Sequence, residues 1–120
     1  MAKQKSSIFT DDFNTCFLTH ANGWVEDHHI FGGSNRKNSE RYGLVIPLQH
    51  HIHNEPPFGA HHNAALDLQI KQFAQRKFEE THTREEFMLI FGRNYLYTED
   101  DGYEIDLRAC GVQECCATGA

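Results

Sequence analysis

Apolar residues recur at helical spacing over one long stretch of the chain. Between positions 63 and 80, Leu66, Ile70, Phe73, Ala74 and Phe78 share a face, while Asp67, Lys71, Gln72, Gln75 and Lys77 fill the others. This spacing predicts the longest helix, with Asn63 as its N-cap. A second helix is predicted from Thr83, because Thr83-x-x-Glu86 is a capping box. It carries Phe87, Ile90 and Phe91 and stops at Gly92.

The N-terminal half has a different pattern. Residues 13–30 read as a hairpin: Phe13 to Leu18 as one arm, Ala21-Asn22-Gly23 as the turn, and Trp24-Val25 opening the return arm. The return arm runs into Asp27-His28-His29-Ile30. Residues 31–42 are rich in Gly, Ser and Asn and predict a loop. Leu44-Val45-Ile46 is a short extended run, which Pro47 is expected to stop as a central strand. A short helix or turn over about 48–54 then ends before Pro56-Pro57. The fold class expected is α+β. Residues 1–12 are expected to be a flexible N-terminus, 13–97 the folded domain, and 98–120 an acidic, mobile tail.

A chain of 120 residues has room for one compact domain. No run approaches the ~18–20 apolar residues of a membrane-spanning helix, so no membrane partner is expected. The first residues, Met1 to Ser7, lack the apolar segment of a secretory signal, which points to the cytosol. Four cysteines, Cys16, Cys110, Cys115 and Cys116, do not form the spaced framework of a secreted scaffold and read as reduced thiols. The formal charge of −6 is unfavourable for a nucleic-acid binder. Most of it, however, sits between 99 and 114, where six carboxylates face a single Arg108. The rest of the chain is near neutral.

Histidine changes the picture. Seven of the nine fall between 28 and 62: His28, His29, His50, His51, His53, His61 and His62. A divalent transition metal needs three or four ligands from separate elements, and neutral imidazole suits that role. A strand-end histidine, one from a short helix and one before a longer helix could meet in this way. Adjacent strand residues point to opposite faces, so His28 and His29 can divide tasks, one holding a metal and the other meeting a water.

The order of blocks carries a resemblance. His28-His29-Ile30-Phe31-Gly32-Gly33, Arg36, Ser39 to Leu44, then Leu48-x-x-x-x-His53-Asn54, His61-x-Asn63 and Phe91 to Leu96 resemble the HNH endonucleases of phages and prophages. The likeness covers about residues 14–96. It implies a ββα-metal core, a β-hairpin plus a short helix around a metal, with one or two further C-terminal helices. It implies hydrolysis of DNA phosphodiesters, with His29 as general base. The metal ligands it implies are His28, His53 and His61, or His62 if the turn is shifted by one. The cofactor is one divalent metal ion: zinc, nickel, manganese or magnesium. Arg36 and Arg41 are candidate phosphate contacts. A homodimer is compatible with this reading. The cytosol would be bacterial, or that of a host if the gene is phage-borne. The alternative is a catalytically silent nucleic-acid-binding module that keeps the same fold.

Two departures matter. The family's zinc knuckle uses four cysteines, and those places read Cys16, Thr19, Gln49 and Ile52 here, so no structural zinc is expected. Apolar packing by Trp24, Phe17 and the helix around Phe73 is expected to replace it. The family's middle asparagine is replaced by Tyr42-Gly43, which leaves open what orients the His29 ring.

Overall fold

A computed structural model describes residues 6–56 and 59–111. The architecture is α+β: a two-stranded antiparallel sheet and several helices around one core. Strand β1 (Val25–His29) is followed by a 3₁₀ turn (Gly33–Asn35) and helix α1 (Arg36–Tyr42). Then come strand β2 (Val45–Gln49) and helix α2 (His50–His53). A second 3₁₀ turn (Ala60–His62) leads into helices α3 (Ala64–Phe78) and α4 (Arg84–Phe91). Among the described residues, no helix is long and apolar enough to cross a membrane.

The strand pairing differs from the expected hairpin. The partner of β1 is β2, with His28 opposite Ile46 and His29 opposite Val45. The proposed first arm makes only one bridge, Thr15 to Asn22. Ala-Asn-Gly is a turn signal, but a turn cannot hold an arm whose apolar residues pack better elsewhere. Phe17 joins a ring cluster with Phe9 and Phe73, at centroid distances of 5.7 and 6.1 Å. Pro47 does not interrupt β2. It faces Asp27 at a position where its backbone points away from β1, and its carbonyl accepts from Phe17 N at 2.8 Å. A missing N–H costs nothing on that side.

Helix α1 lies where a loop was expected. Its Ser39 is buried: Oγ donates to the Phe31 carbonyl at 2.8 Å and accepts from Phe31 N at 3.0 Å. Asn35 and Asn38 donate to the carbonyls of Phe91 and Ile90 at the end of α4. Long-range bonds therefore outweigh the weak local helix propensity of these residues. Gly43 ends α1 at φ +73°, and any Cβ there would crowd Ile8 at 3.1 Å.

The two C-terminal helices follow their pattern. Asn63 Oδ1 accepts from Leu66 N, and Thr83 and Glu86 form the reciprocal capping box. Gly92 closes α4 in the left-handed conformation. Their apolar faces meet Phe31 and Leu44 in the core, with Phe31 to Phe91 at 4.6 Å and Phe78 to Phe87 at 5.4 Å.

Both ends of the described chain make contacts with the rest of the fold. Ile8 N donates to Gly43 O at 2.9 Å, and Phe9 packs on Phe17 and Phe73. Beyond 98, Arg76 donates to the carbonyls of Thr98, Glu99 and Asp101, while Leu107 and Cys110 are buried. Glu99, Asp100, Glu104 and Asp106 are exposed while Leu107 and Cys110 are buried, which composition alone does not reveal. Residues 1–5, Cys115 and Cys116 lie outside the described residues. Trp24 is not a core residue: it is 71% exposed.

Candidate metal centre

The β1–β2 pairing sets the site. It buries His28 against the core and leaves it 2% exposed. Helix α2 begins directly after β2 and carries His53 back toward His28. The 3₁₀ turn before α3 brings His61 to the same point. One ring nitrogen from each of His28, His53 and His61 lies within 4.8 Å of the others. Ring centroids are 5.1 Å from His28 to His53, 5.3 Å from His28 to His61 and 4.6 Å from His53 to His61.

The protonation pattern follows from the partners. Glu26 lies two residues before His28 on β1, and its carboxylate accepts from His53 Nδ1 at 2.7 Å and from His50 Nδ1 at 3.0 Å. A carboxylate of lowered pKa, as the His53 bond makes Glu26, has no proton to give. His53 Nδ1 therefore holds a hydrogen, which turns Nε2 toward the cluster. There it lies 2.9 Å from His61 Nε2, close enough for one hydrogen or one cation to be shared between the two rings. Burial, then the charge of His53, lowers the His61 pKa and favours its neutral form.

His28 supplies the test of fit. Burial, with the neighbouring imidazoles adding to it, pushes its pKa down to about 3. It is thus neutral at physiological pH and has one lone pair. Neither ring nitrogen has a hydrogen-bond partner among the described residues. An unsatisfied buried polar atom costs roughly 1–3 kcal/mol. Three imidazoles from separate elements, one of them buried without a hydrogen-bond partner among the described residues, suit a borderline-soft divalent cation. The donor set fits a metal.

A cleft of about 620 Å³ opens beside the cluster, lined by His28, His29, His61, His62, Asn63, Asp67 and Lys71 among others. His29 therefore sits in the same cleft as His28, outside the three-histidine group. Its Nε2 meets Glu40 Oε1 on α1 at 2.9 Å. This contact holds the His29 ring by Nε2 and leaves Nδ1 outside it.

The remaining expected residues divide. His62 lines the cleft but does not join the cluster. Arg36 and Arg41 are exposed and do not line it; Arg41 lies against the Tyr42 ring instead. The cation that does line it is Lys71, paired with Asp67 at 2.9 Å. Asn63 is a cap, and its Nδ2 donates to the Cys110 carbonyl.

Two residues beside the histidines, Glu26 and Glu40, are not among the expected site residues. Strand alternation can find Glu26, since positions 26 and 28 share a face. Glu40 cannot be found that way, because the Gly, Ser and Asn content of 31–42 points to a loop and hides α1. At the places of the family's four cysteines, Thr19 Oγ1 donates to Gln49 Oε1 at 2.9 Å, and Cys16 and Ile52 are both in the core. Compared with known proteins, the sequence matches no family model and no curated protein, and the fold matches no solved structure.

Proposed function

We propose that this chain is a metal-dependent endonuclease of the HNH, or ββα-metal, class that hydrolyses DNA phosphodiester bonds. The observation that carries this reading is one histidine left outside a three-histidine cluster yet lining the same cleft. A site built only to hold a metal has no use for a spare base held by its own carboxylate. The antiparallel β1–β2 pair and α2 around the cluster support a ββα-metal reading, with Thr19 bonded to Gln49 where that family has thiols.

His28, His53 and His61 would hold one divalent ion. When bound, such an ion supplies Lewis-acid stabilisation of a phosphate and of the leaving 3′ oxygen. His29 takes a proton from water at Nδ1, and Glu40 stabilises the imidazolium that results. Glu26 keeps the His53 ring turned with Nε2 inward. Lys71, paired with Asp67, lines the cleft and can donate to a phosphate entering it.

Plasmid nicking with a metal series tests this reading, with metal content measured on the same sample. His29→Ala is expected to lower cleavage by roughly 10²–10⁴-fold, the usual contribution of a general base, with bound metal unchanged. Undiminished cleavage by that variant removes the mechanism. DNA binding without cleavage by the unaltered protein would select the catalytically silent module.

A further inference from the structure

Trp24 is the only tryptophan, and it stands one residue before β1, the strand that carries His28. Its indole lies flat on the His50 ring, with centroids 4.1 Å apart and planes within 2°. One face is covered and the residue is still 71% exposed, so the other face is open. The backbone is arranged around this stack. Trp24 has φ +27°, a conformation that a bulky L-residue rarely adopts. Its carbonyl accepts from His50 N at 3.2 Å, which fixes both rings one step beyond β1 and β2. Strain of this kind persists where surrounding structure imposes it, and it concentrates at ligand sites.

The stack is joined to the chemistry. His50 and His53 lie on one face of α2, and both donate Nδ1 to the same carboxylate, Glu26. A cavity of about 460 Å³ lies beside the indole, lined by Asn22, Trp24, His50, His51 and Glu55 among others. Its carboxylate disfavours phosphate there, while the aromatic floor favours an uncharged flat ring.

We infer that Trp24 and His50 form a stacking platform for one unpaired nucleobase of the DNA held at the metal centre. The inference rests on the nuclease reading and narrows its substrate to single-stranded or locally opened DNA. In an intact duplex each base face is covered by its neighbours, and only an unstacked base has a face to offer. Stacking on an aromatic ring tolerates any base, so the platform selects strand state and not sequence.

The single tryptophan makes the test specific. In the His29→Ala background, with metal bound, a 16-nucleotide oligothymidine is titrated against the protein. The expected result is saturable quenching of Trp24 emission, with weaker binding of a duplex of equal length. In the same background, with binding read by anisotropy of a labelled oligonucleotide, Trp24→Ala is expected to weaken binding by about tenfold or more. Trp24→Phe, which keeps a ring, should stay within a few-fold. Thermal melts establish that both variants fold. Undiminished affinity of Trp24→Ala, or a saturated complex with unchanged emission, overturns the platform. If the unaltered protein nicks plasmid in that case, the nuclease reading stands alone. Quenching with ring-dependent affinity but no cleavage keeps the platform and removes the nuclease.

Discussion

The two ends of the core treat buried polarity in opposite ways. Around α3 and α4, each buried amide side chain is paired. Gln75 Nε2 donates to Glu79 and Asn94, its Oε1 accepts from Tyr95 N, and Gln72 donates to the Tyr95 carbonyl. The rings of Phe31, Phe78, Phe87 and Phe91 pack edge to face or tilted among them. At the other end, the buried His28 imidazole has no hydrogen-bond partner among the described residues, and two imidazole nitrogens face each other at 2.9 Å. The first end is complete by itself. The second leaves a buried polar side chain unsatisfied, as a site for a bound group does.

This contrast predicts where stability depends on metal. Phe87→Ala removes a fully buried ring from the self-sufficient end and should cost about 3–5 kcal/mol. Denaturant melts should show the same loss with and without added metal. A loss that appears only in the metal-free protein would mean that the two ends are not separate. Glu26→Gln keeps the shape but exchanges a carboxylate for an amide beside His53. Metal affinity should fall roughly 10–100-fold, read by competition with a chelator, while the metal-free melt changes little. Equal affinity in the variant would show that Glu26 does not set the ring.

The smallest effect is one of pH. His28 is neutral in the fold, with its pKa at about 3, and titrates near 6.5 when unfolded. Below pH 6.5 the unfolded chain binds the extra proton, so stability falls as pH drops through that window toward 3. His61, whose pKa is also lowered, acts in the same direction. Between pH 6.5 and 5, carboxylates contribute little, and the slope from His28 is at most about 1.4 kcal/mol per pH unit. Melts of metal-free protein should show this decline, and His28→Leu should flatten it. An equally steep decline in that variant would place the titration elsewhere.

Much of the C-terminal fold is legible along the chain, because its determinants are local. Helix α3 follows from apolar spacing and Asn63, and α4 from the Thr83–Glu86 box and Gly92. The three histidines that converge were also readable from spacing and family resemblance. The misreadings share one physical cause. Phe17, Ser39 and Pro47 take their conformations from partners roughly thirty, eight and thirty residues away, Pro47 and Phe17 being each other's. The turn signal at 21–23 and the loop composition at 31–42 were real local preferences, overruled by distant hydrogen bonds and packing.

The sequence by itself determined the two capped C-terminal helices, the α+β class and the supply of imidazoles in one neighbourhood, since each depends on residues adjacent in the chain or on composition. Only the tertiary structure decided which carboxylate holds which ring, that Lys71 and not Arg36 or Arg41 enters the cleft, and that Trp24 faces solvent on His50. Those outcomes depend on the strand register and on where α1 and α2 leave the sheet, and no local preference encodes a distance between such separated atoms.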